Sequence, residues 1–418
     1  MRSHPRDTKE TRKLREKLVR QLWRKDRAIQ TRQVASAFRA VPRHLFVPEV
    51  DVEDAYSDQV IPLKFAENQA ISSSSQPGMM AIMLEQLALE PGMRVLEIGA
   101  GSGYNAALMA HIVGETGSVI SIDIDDDLVE GARANLQAAM VNNVQVLRAD
   151  GAYGYAPGAP YDRIILTVAS ADVTPAWREQ LLPHGLLVLP LILTQDHQIS
   201  TALEYQEGVL TAVDLVPCRF MTLRGDFAMA DQEMWQVLNL ADELQVYVNA
   251  STAVTGDDLH RLLEMEKTIV STGVELLPQS LFDGRLWMSL NQPETILARV
   301  EGKLRQRRVV PCLFGNRSYC TTNGLVAADG LALWARRYRT KPEKDQANPF
   351  ELTVRAHGEA GGELAQRLVT VAQAWDGAGR PGSDEAHLAV YPHGTPVPDR
   401  PGQTILLRET VQIALWFN

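Results

Sequence analysis

Cysteine is scarce in this chain, with only Cys218, Cys312 and Cys320 among 418 residues. Three unevenly placed thiols without a CxxC pair exclude a disulfide framework and a sulfur-based zinc cluster. They read as free thiols in a reducing compartment, with the cytoplasm as the default location. No apolar run reaches the ~20 residues that span a bilayer, so no membrane partner is expected. The charged opening has no apolar segment behind it, as a signal peptide would. The nine histidines are scattered, without HxxxH or HExxH, and no metal site is expected. Positive charge is also short: 41 Lys and Arg face 51 Asp and Glu, a net charge of −10. That balance excludes a chain built as a whole to coat nucleic acid.

What is present suggests two domains, since 418 residues exceed the length at which one core stops growing. The basic opening "MRSHPRDTKETRKLREKLVRQLWRKDR" places Leu14, Leu18 and Leu22 at helical spacing, and residues 1–29 are read as a basic N-terminal helix with a solvated charged face. "VEDAYSDQVIPLKFAENQ" reads as an irregular loop. From residue 79 apolar helices alternate with buried strands, through "MRVLEIG", "SVISIDI", "VQVLRAD", "YDRIILTVA" and "LLVLPLIL". That alternation predicts an α/β, doubly wound, Rossmann-like domain over 30–225. Residues 226–418 are expected to form a C-terminal α+β domain. In it "DQEMWQVLNLA" is read as a helix, "RLWMSL" as a strand and "RYRTKPEKDQANP" as an exposed loop.

The chemistry centres on "RVLEIGAGSGYNAAL", which runs from a strand through Gly99, Gly101 and Gly103 into a helix. Glycines there allow a tight turn and close approach of a ligand to the backbone. A glycine turn alone does not choose between cofactors, but its acidic neighbours do. Glu97 is placed to meet an ammonium group rather than a pyrophosphate. Asp123, ending the second strand beside Ile124, can accept from two ribose hydroxyls. Asp150, beside Gly151, can face an adenine amino group. Three acids around one turn fit S-adenosylmethionine, which carries positive charge and no phosphate.

These residues stand among motifs in a telling order: "AVPRHLFVPE", "YSDQVIPL", "ENQAIS…QPGMMAIMLEQL", "VLEIGAGSGYNAA", "LRADG", "YDRIILTVAS" and "CRFMTLRG". Over roughly residues 30 to 225 the chain resembles the protein-L-isoaspartate O-methyltransferase family. The resemblance implies methyl transfer from S-adenosylmethionine to an isoaspartyl or aspartyl carboxylate of a peptide or protein, followed by closure to a succinimide. It also implies a serine hydroxyl beside the helix-opening proline, with Ser75 favoured over Ser72 because its distance to Pro77 matches the family. The four-serine run then looks like a three-residue insertion. On the same footing, Asp58 is expected on the acceptor side and Thr167 beside the cofactor.

Ordinary members of the family end close to "CRFMTLRG", whereas here a long tail follows. Together with the altered serine loop, the tail points to a specialised enzyme that tailors a ribosomally made peptide; the resemblance to long members of the family implies a macrocyclic precursor peptide as substrate, with the tail gripping it. General L-isoaspartyl repair is the alternative. A transfer-RNA base methyltransferase and a non-catalytic cofactor-binding peptide chaperone are the remaining rivals.

Overall fold

The computed structural model describes residues 7–67, 69–194, 197–228, 235–292, 294–315, 318–338 and 348–417. Helix Lys9–Arg24 opens on Thr8, whose side chain accepts from the Thr11 amide. Its apolar stripe is not an arm: Leu18, Val19 and Leu22 are buried in the same core as Phe38 and Tyr104. Arg15, on this helix, is buried too, at 3.0 Å from Asp7 and 3.3 Å from the Tyr56 hydroxyl. Residues 9–24 therefore belong to the unit that follows, because an amphipathic helix gains stability by covering a core.

The main sheet has ten strands, in the spatial order Thr404–Leu407, Val411–Phe417, Ala386–Pro392, Val209–Cys218, His197–Gln206, Leu181–Thr194, Tyr161–Leu166, Arg94–Ile98, Ser118–Asp123 and Val144–Arg148. The last five of that order, from Leu181–Thr194 onward, pair in parallel, and the others pair antiparallel. Alternate residues of the parallel strands enter different cores, as period-two geometry requires. Val95, Val119 and Ile165 meet helices Pro77–Leu87, Tyr104–Val113 and Asp126–Ala138. Leu96, Ile122 and Leu166 meet Trp177, with Leu286 and Leu290, on the opposite face.

A second sheet of eight antiparallel strands carries helix Gly361–Gly377 against it, with Leu368 and Trp375 buried there. Between the two sheets lies helix Pro278–Asn291. Leu281 and Met288 enter the core of the second sheet, while Leu286 and Leu290 enter that of the first. This helix includes the "RLWMSL" segment expected as a strand. Burial on both sides blurs the helical period, and a short apolar run is then compatible with either element.

Other expectations change for similar reasons. Residues 386–417 return to the first sheet, where Ala389 and Val390 pair with Thr211 and Leu210, so the expected unit 226–418 does not stay together as one sheet. The tail of "DQEMWQVLNLA" is the strand Trp235–Ala241, with Leu238 buried and Val237 exposed; residues 229–234 lie outside the described residues. "YSDQVIPLKFAENQ" contains the strand Ile61–Ala66. Of "RYRTKPEKDQANP", residues 339–347 lie outside the described residues. Cys312 and Cys320 are disulfide-bonded, with Cα atoms 5.1 Å apart, rather than free. The hairpin of Phe314–Gly315 with strand Tyr319–Ala327 brings them together, which spacing alone did not reveal. Among the described residues no helix is long and apolar enough to cross a membrane.

Candidate active site

The cavity sits where the strand order reverses, at the C-terminal ends of Arg94–Ile98, Ser118–Asp123 and Tyr161–Leu166, the usual ligand crevice of an open α/β sheet. Its volume is about 500 Å³, and Gly99, Gly101, Asp123, Ile124, Gly151 and Thr167 line it. Gly99 has φ +101°, and a Cβ there would lie 2.4 Å from Thr167 Oγ1. The turn can therefore hold only glycine at this point without displacing its neighbour. Thr167 donates to the Gly99 carbonyl at 2.7 Å, so this side chain shapes the turn as well as lining the cavity. Gly103, φ +83°, faces Ala132 and packs the turn against the next helix rather than facing the cavity.

Asp123 accepts from the Gly101 amide at 3.0 Å and the Asp125 amide at 3.3 Å, one bond to each oxygen. Each oxygen keeps a lone pair for a further donor, which suits a ribose diol. Burial raises this carboxyl above its usual range, opposed by those two amides.

Two acids expected to touch the cofactor do other work. Glu97 is fully buried beneath the turn, accepting from Asn105 Nδ2 at 2.8 Å and Ser121 Oγ at 2.5 Å. The atom left over is Asn105 Oδ1, buried and without a partner, in a small recess shared with Gly99, Gly101 and Ser75. That oxygen, and not a Glu97 oxygen, is the unengaged acceptor of the recess. Asp150 accepts from the Ala152 amide at 2.9 Å and the Asp226 amide at 2.8 Å, so it caps a short turn and fastens the Gly225 bend. Unlike Asp123, Asp150 does not line the cavity, so these bonds make it a structural cap.

Burial pushes Glu97 up to about 7, against the hydrogen bonds from Ser121 and Asn105. Between the ordinary 4.5 and about 7 the folded chain holds a proton that the unfolded chain lacks. The contribution of this group to stability is thus full below that window and lost as pH rises through it. A Glu97→Gln variant is expected to lose this dependence. Thermal unfolding of both proteins across the window should show the Tm difference moving in favour of the variant as pH rises; a constant difference would contradict the assignment.

Strand Gln69–Ser74, paired with Ile61–Ala66, gives one wall of the cavity. The serine run is no floppy insertion: Ser72, Ser73 and Ser74 pair with Lys64, Pro62 and Ile61. Ser75 follows at the strand-to-helix junction, and both Ser72 and Ser75 line the cavity. Asp58 does not line it. Its carboxylate accepts from the Gly78 amide at 2.7 Å and Gln76 Nε2 at 2.9 Å, capping helix Pro77–Leu87 from a distance.

Three features escaped the sequence reading. Arg43 of "VPRHLFVPE", wholly buried, donates to the carbonyls of Ala55, Ser57, Gln59 and Ser75 and ties the loop before the hairpin to the end of the serine run. Charge in an otherwise apolar motif was the available signal. Residues 217–224 roof the cavity, held by reciprocal backbone bonds between Ala169 and both Met221 and Leu223. Asp125 joins roof to hairpin, 2.6 Å from Arg224 and 3.2 Å from Lys64. Nothing local in the "DIDDD" run distinguishes it. Cys218 also lines the cavity, but burial pushes its thiol up to about 12, which leaves it protonated and a poor nucleophile.

A profile of the family described as Protein-L-isoaspartate(D-aspartate) O-methyltransferase (PCMT) matches residues 12–227. The chain is 42% identical over 198 residues to protein-L-isoaspartate O-methyltransferase 2 of Archaeoglobus fulgidus, a match covering 47% of this chain and 87% of that protein. It is 39% identical over 203 residues to the protein-L-isoaspartate O-methyltransferase of Anaeromyxobacter dehalogenans, covering 48% and 93%. A solved structure named protein-L-isoaspartate O-methyltransferase matches 90% of this chain and 96% of its own, at 24% identity and a TM-score of 0.50. The fold beyond residue 227 therefore recurs in a known structure.

Proposed function

Because the chain belongs to the protein-L-isoaspartate(D-aspartate) O-methyltransferase family, we propose that it repairs proteins by esterifying the free carboxylate of their isoaspartyl residues. The family makes it an S-adenosylmethionine-dependent carboxyl O-methyltransferase. The observation that carries the acceptor assignment is that the serine hydroxyls and the cofactor turn line one cavity. The cradle at Gly99 and the unpartnered Asn105 Oδ1 fit the cofactor, with Asp123 for its ribose.

S-adenosylmethionine held by the Gly99–Gly101 turn and Asp123 would supply an electrophilic methyl on a sulfonium, with a neutral thioether as its leaving group. The chain need not supply a base, because the acceptor is already ionised. Among the described lining residues Asp123 is the only carboxylate. The work left to the protein is alignment and exclusion of water, since opposite charges vanish as the bond forms. Ile71, Met79, Phe220 and Leu223 give that space apolar walls. Ser75 orients the acceptor oxygens, and Arg219 on the rim draws the anion in. The methyl ester is then attacked by the following backbone amide, losing methanol and giving the succinimide.

The tailoring reading rested on an altered serine loop and on a tail foreign to the family, and the second premise weakens now that a solved structure of the same family name spans most of the tail. Labelled methyl transfer to matched aspartyl and isoaspartyl peptides separates the two. Isoaspartyl peptides of unrelated sequence are expected to be esterified and aspartyl ones spared. Activity confined to the normal aspartate of one particular peptide would replace repair with tailoring. Ser75→Ala should lower kcat at least about tenfold with cofactor binding unchanged; if Ser72→Ala alone is impaired, the acceptor hydroxyl is Ser72.

A further inference from the structure

A second cavity, of about 720 Å³, lies in the unit of the eight-stranded sheet and shares no residue with the one around Gly99. It is bounded by helix Gly256–Glu264, the end of helix Gly302–Arg307 and the end of strand Phe350–Gly358. Four cations converge on it: Lys267, Arg307, Arg308 and Arg355. Two carboxylates oppose them, and one of these, Glu264, is engaged by His260 at 3.4 Å. A locally positive cavity in a chain of net charge −10 runs against the average of the surface.

Two buried groups sharpen the case. Arg355 is half-buried and donates to the carbonyls of Arg308 and Val309, at 3.2 and 2.9 Å, rather than to a carboxylate. Burial, with Arg308 adding repulsion, holds its guanidinium below the usual range. A bound anion would offset that desolvated charge. His357 is 3% exposed, and its Nδ1 hydrogen donates to the Met265 carbonyl at 3.2 Å. Its Nε2, also buried, has no partner. Burial, with Arg355 and Lys267 adding repulsion, holds this imidazole below its usual range, and an anion that offset those charges would favour the protonated, donating form. Leu244, Leu263 and Leu304 supply apolar walls.

We propose that this cavity binds a small amphiphilic anion, an apolar body carrying one carboxylate or phosphate head, at a site separate from methyl transfer. The volume lies within the roughly 300–1,000 Å³ of small-molecule pockets. The apolar walls exclude a bare inorganic ion as the preferred ligand.

The test titrates the full chain with 8-anilinonaphthalene-1-sulfonate, an apolar body with an anionic head, followed by fluorescence. Saturable binding is expected, displaced by decanoate or by decyl phosphate, and whichever competes better assigns the head. The exposed pair Arg307→Glu and Arg308→Glu, combined, should weaken it at least about tenfold while isoaspartyl methyl transfer stays unchanged. Undiminished binding by that variant, failure of both competitors, or equal affinity for the uncharged N-phenyl-1-naphthylamine would each overturn the site.

Discussion

Arg43→Ala is expected to cost about 3–5 kcal/mol of stability, the largest effect of any substitution considered. The guanidinium is fully buried, and its donors reach Ala55, Ser57 and Gln59 on one segment and Ser75 on another, at 3.0 to 3.3 Å. It also lies 5.8 Å from the centre of the Tyr104 ring. Truncation leaves four carbonyls without their donor, each worth about 1–3 kcal/mol when buried and unsatisfied. Part of that is returned, because a charge held in the interior is itself expensive and burial lowers the pKa of this one. Arg43→Lys should be intermediate, since an ammonium keeps the charge but cannot span both segments in one plane. Thermal unfolding should show a fall on the order of 10 °C for the alanine variant. Methyl transfer, assayed well below that Tm, should fall as well, because Ser75 is no longer held against the loop. A variant that melts with the wild type would show that the clamp is dispensable.

The second large effect is on cofactor affinity. Asp123→Ala should weaken binding of S-adenosylhomocysteine about a hundredfold or more. Two charge-assisted hydrogen bonds to a ribose diol are worth about 1.5–3 kcal/mol each. The substitution also frees the Gly101 amide, now 3.0 Å from Asp123, and loosens the turn. Asp123→Asn keeps an acceptor at one position and should lose less. Titration calorimetry measures both, and an alanine variant within threefold of wild type would remove Asp123 from the site. Asp150→Ala should alter stability more than affinity, because Asp150 lies outside the cavity lining and holds its own turn and the Gly225 bend together.

The fold of the first half was legible because its signals are local. Strands such as Arg94–Ile98 and Ser118–Asp123 are short segments rich in Val, Ile and Leu between helical stretches, and the positive φ at Gly99 calls for glycine. The second half was less so. Trp235–Ala241 and Pro278–Asn291 exchanged types because their apolar residues suit two periods, and the sheet or helix each packs against makes the choice. The disulfide of Cys312 and Cys320 depends on a hairpin register invisible in spacing.

For the site, sequence alone pointed to the family and the cofactor, and to Gly99, Gly101, Asp123, Ile124, Gly151 and Thr167 of the cavity lining, since those residues stand in a short contiguous turn and at the ends of adjacent strands. Only the tertiary structure decided which acids face the ligand. Glu97, Asp150 and Asp58 look alike in sequence to Asp123, yet of the four only Asp123 lines the cavity, while the others hold Asn105 and Ser121, the Gly225 bend and a helix N-terminus. A carboxylate's role is fixed by which donors reach it, and those donors arrive from elsewhere in the chain. The same holds for Arg43, whose four acceptors lie 12 to 32 residues away, and for strands 386–417, which find their partners across the whole second unit.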